Sequence, residues 1–366
     1  MDFRGCTLEK MVVSSNFWKN KKVLLTGHTG FKGSWLSIWL KKLGVELIGF
    51  SKDIPTEPSL FELAKVSENM VSIIGDIRNF SVIQKIIQEN QPEIIIHMAA
   101  QALVRKSYED PIDTFSTNIM GTVNLLEAVR GSHNTKVVIN VTSDKCYNNI
   151  DSDHDFVEED PMGGYDPYSS SKGCSELITS AFRNSFFNSE KYNEHGLALA
   201  SVRAGNVIGG GDWSRDRLIP DIIQNINKKT ITIRNPNAVR PWQYVLEPLN
   251  GYMLLIEKLW DNGEKYSEGW NFGPDKNECK SVSYILDKIS EDLNKKIEWE
   301  QDKKSNLHEA SKLILNCSKA KNKLKWNSKT NTDQAIKFTM NWYKAYKSRH
   351  NMKDFSVQQI KEFELL

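Results

Sequence analysis

Val23-Leu24-Leu25-Thr26-Gly27-His28-Thr29-Gly30-Phe31-Lys32-Gly33 is a short apolar run that stops at three glycines, each three residues from the next. Beyond them Trp35, Leu36, Trp39, Leu40 and Leu43 recur near every 3.6 residues. The stretch therefore reads as buried strand, tight turn and amphipathic helix. Glycine at such a turn admits a positive φ and lets the backbone approach a pyrophosphate. The helix N-terminus then supplies unpaired N–H groups and a partial positive charge. The spacing is GxxGxxG rather than GxGxxG, and a ligand-free βα turn uses glycine too. Its place after the first strand and before the first helix favours a nucleotide site.

Outward from this turn, β-branched runs at 45–50, 71–74, 93–97, 137–142 and 199–203 read as further buried strands. Helical patterns separate them, including 112–130 and 167–187. Such alternation predicts an α/β fold, a Rossmann-like doubly wound parallel sheet with a smaller C-terminal α/β substrate domain. The expected divisions are a disordered extension over 1–16, a nucleotide domain of 17–206 plus 242–274, a substrate domain of 207–241 plus 275–350, and a C-terminal tail over 351–366.

Lys and Arg number 48 against 46 Asp and Glu in 366 residues, a net charge of +2. That balance argues against a nucleic-acid partner, whose phosphates demand a clear basic excess. No uninterrupted apolar run approaches the roughly 18 residues of a membrane span, and positions 1–16 lack the apolar core of a signal peptide. Five scattered cysteines without CxxC spacing, and seven histidines without HExxH, read as reduced thiols in a cytoplasmic protein with no metal site.

Tyr168 and Lys172 stand at i and i+4, on one face of a helix. An ammonium so placed stabilises phenolate and lowers the tyrosine pKa, fitting Tyr168 to take a proton from an alcohol as hydride leaves the same carbon. A hydroxyl pair, Thr142-Ser143, ends the intervening strand. Asp76, after the third strand, reads either as a partner for an adenine amino group or as a helix N-cap. Asp53, after the second, favours NAD through the ribose 2′-hydroxyl, whereas Lys32 and Lys52 suit a 2′-phosphate.

Glycine turn, Ser143 and YxxxK together resemble the extended short-chain dehydrogenase/reductase family, from about residue 17 to about 346. Val141-Thr142-Ser143-Asp144-Lys145-Cys146-Tyr147 is similar to the active-site strand of its nucleotide-sugar 4,6-dehydratases. Where dehydratases acting on thymidine diphosphate glucose carry Thr-Asp-Glu, this chain has Ser143-Asp144-Lys145. That version, with Gly209-Gly210-Gly211-Asp212-Trp213, most resembles the branch acting on cytidine diphosphate sugars.

The resemblance implies NAD as cofactor, with contacts at Thr26, Gly27, Thr29, Gly30, Phe31, Lys32, Gly33, Asp76, Ile77, Ala99, Ala100, Gln101, Thr142, Tyr168 and Lys172. It implies Ser143, Asp144, Lys145, Tyr168 and Lys172 as catalytic residues. Tyr168 serves as the C4 base, protonated Asp144 as the acid for the departing C6 hydroxyl, and position 145 acts on C5. Lys145 fits either as a desolvated base or as a cation stabilising the C5 enolate. Asn206, Arg217, Arg240, Tyr244 and His308, with Glu309, are expected on the nucleotide-sugar side, and Trp213 near the sugar. Cys146 is expected to pack behind the site rather than react. A homodimer or dimer of dimers, built on helices 112–130 and 167–187, also follows from the resemblance, as does a product used in dideoxyhexose and O-antigen synthesis. A 4-epimerase and a non-catalytic NAD-sensing regulator on the same fold are the competing readings.

Overall fold

The computed structural model describes residues 13–149, 154–228, 230–302 and 313–366. Its centre is a seven-stranded parallel sheet. The strands are β1 (Lys22–Thr26), β2 (Glu46–Ser51), β3 (Val71–Ile74), β4 (Ile94–His97), β5 (Val137–Val141), β6 (Ala198–Ala204) and β7 (Gly269–Phe272). They lie in the order β7-β6-β5-β4-β1-β2-β3. Chain order reverses between β1 and β4, and at such a switch point the strand ends splay to open a crevice. Strands β4, β5 and β6 are buried at every position, as sheets covered on both faces require. The expectation of a buried strand at 71–74 fails: β3 is the sheet edge, and Val71 and Ile74 are 51% and 58% exposed.

Helices α1 (Phe31–Lys42), α2 (Phe80–Asn90), α3 (Gly121–Arg130), α4 (Pro167–Ser185) and α5 (Leu246–Asp261) flank this sheet. Asp166 caps α4 by accepting from the Ser169 amide, and Pro167 occupies the first turn, where its missing N–H costs nothing. The single helix expected over 112–130 is interrupted. Pro111–Phe115 leads into a π-helical turn, Ser116–Met120, before α3 begins.

The described part of the expected extension, 13–16, and the expected tail over 351–366 both carry structure. Ser15–Trp18 is a helical turn, and Glu257 on α5 accepts from the Ser14 amide and the Trp18 indole, each at 2.8 Å. The supposed tail contains a helix, which with Thr332–Lys347 makes the last two, α6 (Thr332–Lys347) and α7 (Met352–Leu365). Phe363 packs edge-on against Trp39 of α1, and Glu364 accepts from the Trp39 indole at 2.9 Å. An aromatic contact and a partly buried hydrogen bond fasten this segment to the nucleotide side of the sheet.

Candidate active site

The crevice between β1 and β4 is closed at its floor by Thr26. Its Oγ1 meets His97 Nδ1 at 2.7 Å and accepts from the Met98 and Ala99 amides, each at 3.1 Å. Gly27 turns the chain at φ +79°, and a Cβ there would lie 2.8 Å from Met98 O and Ala99 N. A Cβ on Gly33 would meet Gly27 O at 2.0 Å. Only glycine permits this tight wrap. Gly30 opens α1 with no side-chain cap, so the first-turn amides and the positive end of the helix face the crevice. These features fit a dinucleotide pyrophosphate. Thr29 is tied down, donating from Oγ1 to Asp53 O at 2.6 Å. Ala99 and Ala100 border the crevice half-buried, while Gln101 is buried.

Asp76 is neither N-cap nor open adenine partner. Asn79 caps α2, and Asp76 accepts from Arg78 Nη2 at 2.5 Å and from the Arg78 amide at 2.9 Å. The guanidinium holds its carboxyl below the usual range. Ile77 packs its side chain against Gly121. Lys52 lies 3.4 Å from Asp113, drawn to a carboxylate.

At the carboxyl end of β5, Ser143 donates to Asp144 Oδ1 at 2.9 Å and caps the turn Asp144–Cys146. Tyr168, in the first turn of α4, is buried where that helix packs against this turn. Lys172, one turn on, donates to Val141 O at 3.3 Å. Expectation and structure part here: burial pushes the Tyr168 phenol up to about 12, with Ser143 and Arg217 pulling the other way. Burial, with the Lys32 ammonium, brings Lys172 down to about 8. Asp144 is 5% exposed, and burial raises its carboxyl against the pull of Lys145 and Arg240. Lys145 itself is half-buried.

Lys32 belongs electrostatically to this cluster as well as to the cofactor turn. Phe31 is wedged so that a Cβ on Gly209 would meet its Cζ at 3.0 Å, setting the first turn of α1 against the glycine loop. Burial and Arg217 bring the Lys32 ammonium down to about 8, while Asp144 opposes them. Arg217 donates to Asp212 Oδ2 at 3.1 Å and its charge is felt at Tyr168. Arg240 Nη1 donates to Val239 O at 3.0 Å, and Asn206 O accepts from the Gln243 amide at 3.0 Å. Ser143, Asp144, Lys145, Tyr168, Lys172, Lys32, Arg217 and Arg240 thus form one electrostatically connected group.

The structure corrects Tyr244 and locates other expected residues. Tyr244 is fully buried, its hydroxyl donating to Gln359 at 3.2 Å and its ring stacked on Phe338. Trp213 packs edge-on against Tyr343 and Tyr346, again among the C-terminal helices. Thr142 turns its hydroxyl to Glu176, at 2.5 Å, rather than to the crevice. Cys146 is buried, and burial pushes its thiol well up, consistent with packing. His308 and Glu309 lie outside the described residues. Asn118, which no motif marked, sits on the π-turn. Its Oδ1 accepts from the Gln101 amide at 2.8 Å, and its Nδ2 donates to Gln101 O and Ser171 Oγ. The extra residue of a π-turn redirects a side chain that a regular helix would aim elsewhere, and here it ties the β4 loop to α4.

The family model described as GDP-mannose 4,6 dehydratase matches residues 24–339, and the chain belongs to that family. Among curated proteins, it is 51% identical to a CDP-glucose 4,6-dehydratase of Salmonella typhimurium over 353 residues, covering 96% of this chain and 98% of the relative. Two solved structures share the fold. An epimerase from Methanothermobacter thermautotrophicus superposes with a TM-score of 0.78 at 20% identity, covering 91% of this chain and 95% of that one. A Bacillus anthracis dTDP-glucose 4,6-dehydratase in complex with NAD has a TM-score of 0.72 at 24% identity, covering 90% and 98%.

Proposed function

We propose that the chain is a CDP-glucose 4,6-dehydratase, converting CDP-glucose to CDP-4-keto-6-deoxyglucose and water with bound NAD. The observation that carries this reading is the buried Asp144, bonded to Ser143 at the end of β5 with the buried Tyr168 and Lys172 of α4 packed against that turn. A nicotinamide cofactor in the glycine cradle supplies the two-electron acceptor for C4 and the donor for C6. Tyr168 takes the C4 hydroxyl proton, helped by the Arg217 charge that favours its phenolate. Ser143 holds the resulting C4 oxygen. That ketone acidifies C5–H; Lys145 removes that proton and returns it to C5 as hydride reaches C6, or as a cation stabilises the enolate while C5 is deprotonated. Asp144, whose carboxyl burial shifts upward, gives its proton to the C6 hydroxyl, which leaves as water. Arg217 and Arg240 suit the diphosphate, because a guanidinium fork offers parallel charge-assisted hydrogen bonds. Segments 207–241 plus 275–350 form the substrate side, and 17–206 plus 242–274 the cofactor side.

Incubation with CDP-, dTDP-, UDP- and GDP-glucose, followed at the alkaline 4-keto absorbance, tests the proposal. Signal with CDP-glucose is expected. Turnover of another nucleotide alone overturns the substrate, epimerised product without a 4-keto signal points to an epimerase, and bound NAD without turnover to a regulator.

The proposed partner is a second copy of the chain. Ile112, Met120, Leu177 and Phe186, on or at the ends of the helical segments over 111–130 and 167–185, are 81%, 49%, 59% and 48% exposed, apolar side chains that a second copy would cover. Light scattering giving a monomer mass overturns this. Among the described residues no helix is long and apolar enough to cross a membrane, and the dispersed cysteines support a cytoplasmic location.

A further inference from the structure

Glu176 lies one turn beyond Lys172 on the same face of α4, only 4% exposed. Its Oε1 accepts from Thr142 Oγ1 at 2.5 Å, and its Oε2 from Ser201 Oγ at 2.7 Å and Arg203 Nη2 at 2.8 Å. Burial opposes the charge, yet Arg203 and the hydroxyl donors hold the carboxyl below its usual range. The same Arg203 donates from Nη1 to the Tyr147 hydroxyl at 2.6 Å, and Tyr147 donates onward to Asn271 at 2.8 Å. Thr142 and Tyr147 are the residues immediately outside Ser143–Cys146, the segment carrying the acid, the lysine and the C4-oxygen donor. One buried carboxylate therefore grips both ends of that segment, directly at Thr142 and through Arg203 at Tyr147. It projects from the helix that also carries Tyr168 and Lys172. A buried ion pair of this kind gives little net stability over an apolar replacement, but it fixes one geometry when fully hydrogen-bonded.

We propose that Glu176 is the positioning residue of the reaction, clamping the Ser143–Cys146 turn in register with Tyr168 and Lys172. The clamp also has an electrostatic arm. Besides Tyr168 one turn back on the same helix, the charged or titratable groups facing Lys172 are Lys32 from α1, His97 from β4, Cys146 from the turn and Glu176 from its own helix. Glu176 is the carboxylate among them, and it favours the charged lysine against burial and Lys32.

The test rests on the dehydratase reading but is arranged so that each can fail alone. Amide hydrogen exchange over 142–147, measured on the full chain without substrate, reads the clamp irrespective of activity. Thr142→Val, which removes the hydroxyl and keeps the shape, is expected to speed that exchange about tenfold or more, while Thr142→Ser restores protection. With CDP-glucose, T142V is expected to lower kcat about tenfold with KM within about twofold, a loss confined to the chemical step. Glu176→Gln is expected to shift the alkaline limb of the kcat profile to lower pH, and T142V is not. Wild-type exchange rates in T142V, or an unmoved alkaline limb in folded E176Q, overturn the proposal. If E176Q fails to fold because Arg203 is left uncompensated, the T142V and T142S exchange rates decide it. A wild type that turns over no nucleotide sugar breaks the dehydratase reading and leaves the exchange result standing on its own.

Discussion

Two aspartates follow two parallel strands at the same carboxyl end of one sheet, and their surroundings shift them in opposite directions. Asp76, after β3, lies near solvent with Arg78 against both oxygens, and the guanidinium holds its carboxyl down. Asp144, after β5, is buried with Ser143 as its donor, and desolvation holds its carboxyl up. A cation in contact outweighs mild burial in the first case. In the second, burial outweighs cations that act only across space. An acid for a departing hydroxyl must carry a proton at neutral pH, and of the two only Asp144 is placed to do so.

The sharpest way to break the contrast is Asp144→Asn, which keeps an acceptor for Ser143 and abolishes the proton. Formation of 4-keto product from CDP-glucose is expected to fall about 10³-fold, within the usual 10²–10⁴ range for a general acid; a loss under about tenfold excludes the role. Stability is expected to move the other way. A carboxyl whose folded-state pKa is raised contributes most at low pH, and loses that contribution as pH rises through the raised value. D144N should therefore match wild type in melting temperature in acid and exceed it at neutral pH.

Next in size is Lys145→Met, which separates base from electrostatic stabiliser. As a base, Lys145 is needed for exchange of the C5 hydrogen with deuterated solvent, and the variant is expected to lose it about 10²-fold. Exchange that survives intact, with slowed elimination, assigns the stabiliser role instead.

The features legible in the sequence are those set by local structure. The glycine turn needs only neighbours within about ten residues, and φ and helix polarity follow from residue type. Tyr168 and Lys172 share a helix face, so their spacing alone brings them together. The expectation for Tyr244 fails because its surroundings come from Phe338 and Gln359, about a hundred residues further on, and Trp213 likewise packs against the distant Tyr343 and Tyr346. No local pattern announces that α6 and α7 cover them. Asn118 was hidden by a π-turn that periodicity renders as ordinary helix. Glu176 carries a local signal: a carboxylate at i+4 from Lys172, on a face that must be buried, needs a buried cation, which Arg203 on the neighbouring strand supplies.

Lys32 tests whether the two sides of the crevice are as separate as the motifs suggest. The turn that holds it reads as cofactor-binding, yet its charge is felt at Lys172, and those of Arg217 and Asp144 at Lys32. Lys32→Met removes a cation that lowers Lys172, so the alkaline limb of the kcat profile is expected to rise in pH. KM for the sugar nucleotide is expected to increase several-fold, with NAD affinity changed less than about threefold. A large loss of NAD affinity with unchanged KM returns Lys32 to the pyrophosphate alone.

The smallest effect belongs to Asp76→Asn, and its smallness is what it tests. If the carboxylate is spent on Arg78, replacing it removes one partly exposed ion pair, worth about 0.2–1 kcal/mol. A carboxyl held below its usual range contributes stability above its unfolded pKa and loses it as pH falls through the lowered one. The deficit of D76N in thermal melts is therefore expected at neutral pH and should vanish in acid, the mirror image of D144N. Isothermal titration of NAD is expected to change by less than about threefold. A loss of tenfold, about 1.4 kcal/mol, exceeds what the ion pair supplies and would mean that Asp76 leaves Arg78 for the adenine on binding. In that case the two aspartates differ in the ligand each serves, and not only in protonation.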